Sequence, residues 1–161
     1  MTVTNVDKDT EARTLTITSE FQAPIERVWR IWSDPRQLER WWGPPTYPAT
    51  FVDHDFTVGG SVSYFMTGPE GDKHYGWWTI NALDEPHSLE IEDGFSKETG
   101  EKDDLPSMIM RVTLREEPAG VTTMEIRTSY PSDEAMAQMI EMGMAEGMSE
   151  ALGQVDALLA G

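Results

Sequence analysis

The chain has 161 residues, 12 basic against 29 acidic side chains, a formal charge of −17 and six tryptophans. That length suits one domain around one core, and the apolar and aromatic content is too high for a disordered acidic chain. The charge argues against polyanionic partners, nucleic acid and anionic membrane surfaces alike, and the lack of cysteine excludes disulfides, thiolate catalysis and thiolate-bound metals.

Residues 1–12 are polar and read as a flexible arm, leaving 13–160 as a single domain. Arg13–Phe21 alternates, with Leu15, Ile17 and Ser19 on one side and threonines on the other, as in a half-buried strand. Pro24 opens a helix with Ile25, Val28, Trp29 and Trp32 at helical spacing, and Asp34-Pro35 closes it. Pro35 starts a second short helix carrying Leu38 and Trp41, which Gly43-Pro44-Pro45 breaks.

From Tyr47 to Arg127 the pattern has period two. The expected strands are Ala49–Thr57, Ser61–Met66, His74–Leu83, Ser88–Asp93, Met108–Arg115 and Val121–Tyr130. Short turn-rich connections between them predict antiparallel hairpins rather than crossovers. One connection is long, Gly94–Pro106. Ser132-Asp133-Glu134 then caps a terminal helix reaching about Leu159, roughly 26 residues and roughly 39 Å long. The order predicts an α+β domain whose antiparallel sheet wraps the terminal helix.

Strand parity predicts the interior. Val62, Tyr64 and Met66 share one side of their strand. Met108, Met110, Val112 and Leu114 share a side of theirs, as do Met124 and Ile126. The same rule sets His54 beside Val52 and Phe56, and His74 and Trp78 beside Ile80. The terminal helix brings Met136, Met139, Met142, Met144 and Met148, with Gly143 and Gly147 one turn apart. Each helix glycine costs about 1 kcal/mol relative to alanine, so the pair implies either close contact with the sheet or deliberate space. Methionine lines surfaces that accept varied apolar groups. A sheet curved over such a helix can enclose an apolar pocket, and its interior is expected to be nearly uncharged.

Chemistry-bearing motifs are scarce. Asp53-His54-Asp55 alternates across a strand and cannot converge on a metal, and no metal-binding histidine spacing occurs. Nucleophile-elbow, phosphate-loop and dinucleotide glycine patterns are absent. No catalytic residue, metal or cofactor is therefore assigned. Asp84–Asp104 holds nine acids against Lys97 and Lys102; it reads as a solvated hairpin and loop, or as an acidic contact patch or lid. No apolar run approaches the roughly 18 residues of a membrane span. The first residues do not look like a signal peptide. A cytoplasmic protein without membrane insertion is expected.

The stretches FQAPIERVWRIWSDPRQLERWWGP (Phe21–Pro44), DFTVGG (Asp55–Gly60), MTGPEGD (Met66–Asp72) and EGMSEALGQVDALLA (Glu146–Ala160) resemble the bacterial activator of 90-kDa heat-shock protein ATPase homologues. That family lies in the START-like (SRPBCC, birch-pollen-allergen-like) superfamily. The resemblance implies a helix-grip fold: a seven-stranded antiparallel sheet around a long C-terminal helix, two short helices after the first strand, and a hydrophobic cavity between sheet and helix. It implies lipid carriers, cyclases, hormone receptors and co-chaperone domains as functional relatives. Two positions depart from the family, Thr57 where a basic residue is frequent and Met148 where tryptophan is frequent. The second change would enlarge or soften a pocket.

The function expected is binding of a small hydrophobic molecule. The site would comprise His54, Tyr64, Met66, Trp78, Met108, Met110, Met124, Met139, Gly143 and Gly147, with His54 and Tyr64 as polar anchors. A co-chaperone-like module, whose acidic surface meets a chaperone or other basic protein, is the alternative. A cyclase or lyase would need His54 and Tyr64 as a polar pair in the cavity. Exposure of Trp41, Trp42 or Trp77 would mark a homodimer face.

Overall fold

The computed structural model describes residues 3–160. The strands are β1 (Val3–Asp9), β2 (Thr14–Phe21), β3 (Ala49–His54), β4 (Ser61–Thr67), β5 (Lys73–Asp84), β6 (Ser88–Ser96), β7 (Met108–Glu117) and β8 (Val121–Ser129). The helices are α1 (Ile25–Ser33) and α2 (Pro35–Leu38) after β2, then α3 (Asp133–Glu141), α4 (Met144–Leu152) and α5 (Val155–Ala160) after β8. All strands join one antiparallel sheet in the order β1-β2-β8-β7-β6-β5-β4-β3. The arrangement is consistent with a helix grip.

The sheet has eight strands, not the seven expected. The extra one is β1, in the segment read as a flexible arm; Asn5–Asp9 pairs residue by residue with Thr14–Thr18. Its side chains are mostly exposed, so backbone pairing holds it rather than a buried face. Alternation of polar and apolar residues is the strand signal, and an all-exposed edge strand lacks it.

The inner face is dry. Leu15, Ile17, Val62, Trp78, Ile80, Leu89, Ile91, Met110, Val112, Leu114, Met124 and Ile126 are all buried there. Helices α1 and α2 close one end with Val28, Ile31, Trp32, Leu38 and Trp41. Trp32, Trp41, Trp42 and Trp78 meet mostly edge to face at centroid distances of 4.8 to 6.1 Å. Such pairs add about 0.5–1.5 kcal/mol each beyond the area they bury. Trp41 and Trp42 are therefore core residues and form no dimer face; Trp77 is half-buried, its indole donating to the Phe95 carbonyl at 3.0 Å.

Two backbone irregularities correct the simple pattern. A bulge in β3 between Phe51 and Asp53 puts Phe51 and His54 on the inner side and leaves Val52 66% exposed. Parity carried through the bulge fails there, because one added residue reverses every later side chain. The terminal helix is three helices. Gly143 has φ +87°, a left-handed conformation that ends α3 and starts α4, and a second break falls at Gly153. Only glycine adopts that φ without strain.

Serine and tyrosine fix the position of the broken helix. The Ser132 hydroxyl accepts from the Ala135 amide at 3.0 Å and caps α3. The Tyr130 hydroxyl donates to the Met144 sulfur at 3.1 Å, and burial pushes its phenol up to about 12. Arg27 of α1 donates to the Leu158 carbonyl at 3.0 Å, and Gln154 donates to the Gly43 carbonyl at 2.7 Å.

The two helix glycines should respond oppositely to alanine. Neither Gly143 nor Gly147 has a neighbour within 4 Å of an added Cβ, so backbone conformation alone decides. Gly143→Ala should destabilise by about 1–2 kcal/mol through left-handed strain. Gly147→Ala, inside α4, should stabilise by about 1 kcal/mol. Urea midpoints of the two variants check both signs.

Candidate ligand-binding site

A cavity of about 260 Å³ lies between the broken helix and the middle strands. Its sheet side is Tyr64 and Met66 of β4, Asp93 and Phe95 of β6, and Met108 of β7. Its helix side is Met139 of α3, the Met142-Gly143-Met144 break, and Gly147 and Met148 of α4. Trp42 and Pro44 close the end near α2. Met142 is 58% exposed, so the cavity reaches the surface beside the break.

Local structure explains the space. Helix α4 packs against β1 and β2 at one side of the sheet. Its later residues Ala151 and Leu152 are fully buried, whereas Met144, Gly147 and Met148 are only partly so. The left-handed turn at Gly143 lets the chain change direction there, and Gly147 presents no side chain to the gap.

One polar pair sits in this apolar wall. The Tyr64 hydroxyl donates to Asp93 Oδ1 at 3.2 Å, and both residues are buried. They lie two strands apart, across β5, where Gly76 is the register partner of Tyr64 and Trp78 that of Asp93. A Cβ at Gly76 would stand 2.3 Å from Tyr64 Cζ, so the missing side chain is what lets the ring cross β5 and reach β6. Burial raises the Asp93 carboxyl from 3.8 to about 7, against the lowering effect of hydrogen bonding from Tyr64 and of the nearby Trp78 indole. Burial, then the charge of Asp93, pushes the Tyr64 phenol well above its ordinary range. The Trp42 and Trp78 indole N–H groups approach this pair, yet neither completes a hydrogen bond.

Six of the ten expected site residues line the cavity: Tyr64, Met66, Met108, Met139, Gly143 and Gly147. Trp78, Met110 and Met124 instead fill the solid core; Met124 takes the Trp32 indole proton on its sulfur at 3.3 Å. His54 lies elsewhere. Its Nε2 donates to the Trp32 carbonyl at 3.1 Å, its ring stacks on Phe56 at 5.3 Å, and burial lowers its pKa. The expected His54–Tyr64 pair is therefore absent, and Asp93 is the partner of Tyr64. His74 is exposed and bonds Asp72 at 2.6 Å. Asp53, His54 and Asp55 diverge, the acids accepting from Ser63 and Thr57 respectively. Among the described residues no three potential ligands cluster for a metal ion.

Asp93 is the residue the sequence reading missed, and it overturns the expectation of a nearly uncharged interior. Its signal was present: it follows Leu89 and Ile91 at period two, on the inward side of β6. It also falls within the acidic run Asp84–Asp104, whose composition masks that parity. The rest of that run behaves as surface. Lys97–Glu101 forms a tight turn, Lys102 lies 3.9 Å over the Trp77 ring, and Glu90 pairs with Arg111 at 3.6 Å.

Asp93 gives the fold a defined pH dependence. Its raised pKa means that the folded state holds a proton between about pH 4 and about pH 7 that the unfolded chain has released. Its contribution to stability is complete below pH 4 and falls as the pH rises through about 7. The interval corresponds to roughly 4 kcal/mol. Asp93→Asn, which keeps the shape without the proton, should gain stability over the parent by several kcal/mol between pH 4 and pH 8 in urea titrations. A pH-independent difference would show that Asp93 titrates normally.

With this geometry, the chain can be set beside known proteins. No curated protein matches its sequence. A protein from Arthrobacter aurescens, solved in solution, is 52% identical, with a TM-score of 0.95 over 99% of this chain and 92% of its own. A Mycobacterium smegmatis crystal structure is 51% identical, with a TM-score of 0.90 over 98% of this chain and 96% of that one. A Staphylococcus epidermidis protein at 29% identity still superposes with a TM-score of 0.84, over 98% of this chain and 94% of its own. The model of the activator of Hsp90 ATPase homolog 1-like proteins matches residues 22–160, and the chain belongs to that family.

Proposed function

We propose that the protein binds a small, largely apolar molecule in the cavity between the sheet and the broken C-terminal helix. The observation that carries this reading is the cavity itself: about 260 Å³ of space walled by six methionines of sheet and helix, Phe95 and Trp42. What sets this space apart is its lining, which is apolar except for the Tyr64–Asp93 pair, as in sites that hold small apolar molecules. Flexible thioethers adapt to the shape of an occupant, and Gly143 and Gly147 leave room between the methionines of the helix wall. The exit beside Met142 supplies a route for exchange.

A cytoplasmic location fits the acidic composition, and no helix among the described residues is long and apolar enough to cross a membrane. A chaperone partner, the alternative the family name raises, would meet the acidic outer surface rather than this cavity.

Naphthalene is a suitable first probe, being apolar and small enough for the space. It should bind with a micromolar dissociation constant by fluorescence titration. Met148→Trp, which places a rigid ring in the wall, should weaken binding at least tenfold with little change in thermal midpoint. Absence of saturable naphthalene binding, or binding indifferent to Met148→Trp, would refute the reading.

A further inference from the structure

The polar end of the cavity is chemically incomplete in a way that specifies what completes it. Asp93 accepts the Tyr64 proton on Oδ1, and that hydroxyl is the one hydrogen-bond donor the described residues give the carboxyl. The Trp42 and Trp78 indole N–H groups are buried without an acceptor. Trp42 and Asp93 both belong to the cavity wall. A buried unpaired donor costs about 1–3 kcal/mol, so two orphans beside one half-used carboxyl form an unusual concentration of unmet hydrogen bonding.

From this we infer that the ligand is an apolar molecule bearing one neutral hydroxyl, an alcohol or a phenol, seated at the Tyr64–Asp93 pair. The inference rests on the cavity being a binding site, and adds the class of its occupant. A hydroxyl oxygen carries two lone pairs and one proton. The lone pairs can take an indole N–H, and the proton can go to the unused carboxyl oxygen. Above about pH 7, where Asp93 is ionised and can only accept, a ketone or ether offers acceptors only and leaves the carboxylate unused, so the discrimination is read at pH 8. An amine in its cationic form offers donors only and leaves the Trp42 indole unpaired. A carboxylate brings a second negative charge to a carboxyl already held in a dry wall, which is repelled once Asp93 is ionised. The remainder of the wall, Met66, Phe95, Met108 and Met139, suits a hydrocarbon body.

A matched series separates this inference from the reading it rests on. Naphthalene, 2-methoxynaphthalene and 2-naphthol share a ring system and differ in the polar group. In the parent protein 2-naphthol should bind about tenfold more tightly than either of the others. The preference is a ratio within one protein, so it can be read in each variant regardless of changes in overall affinity. Trp42→Phe and Asp93→Leu should each reduce it towards one. Should Asp93→Leu not fold, Trp42→Phe and the parent series decide the matter. Equal affinity for the three probes in the parent, or a preference that survives Trp42→Phe, overturns the hydroxyl inference while leaving the apolar cavity standing. Failure of naphthalene and 2-naphthol alike to bind overturns both.

Discussion

An antiparallel sheet of eight strands presents one continuous apolar face, and the molecule is organised by the need to keep that face from water. Sheets of this kind can be wet on one side only if the other is covered. Two short helices and their tryptophans cover one end, where edge-to-face rings fill the volume. The C-terminal helices cover the rest. A straight helix would be a poor match to a curved, twisted sheet, and the chain turns at left-handed Gly143 and is interrupted again at Gly153-Gln154. The cavity lies where that cover is incomplete, beneath the bend at Gly143.

The same geometry explains why a carboxyl lies inside. β6 runs through the middle of the sheet, and its inward positions continue past Ile91 to Asp93. An isolated carboxylate there would be very costly, and two adjustments contain the cost. The group is shifted towards its neutral form, and Tyr64 reaches it across Gly76. That contact joins β4 to β6 through the side of the sheet that faces the helices. A glycine in mid-strand, a tyrosine and an aspartate form one device spread over three strands.

Much of the fold could be read from residue patterns. The helix with Val28, Trp29 and Trp32 and the strands from Ala49 to Tyr130 follow from apolar periodicity and turn residues, because the dry face imposes period two directly on the chain. The misses share a cause as well. β1 has no buried face and so leaves no alternation. The bulge at Val52 reverses parity without any distinctive residue to announce it. The helix looked continuous because Gly143 and Gly153 are compatible with either a costly helix interior or a break.

For the site, residue patterns supply the materials: methionines on facing surfaces, glycines in the terminal helix, and Tyr64 and Met66 on the inward side of their strand. Local spacing suffices for this, since it depends only on which way each side chain leaves the backbone. Tertiary structure alone decided which of these residues border empty space and which are packed solid. Met108 and Met139 line the cavity, whereas Met110 and Met124, of the same type and parity, are sealed in the core. It also decided that Tyr64 meets Asp93 rather than His54, because their contact depends on strand register and on the absent side chain of Gly76. Distances between strands far apart in sequence are set by how the sheet assembles, and no local pattern records them.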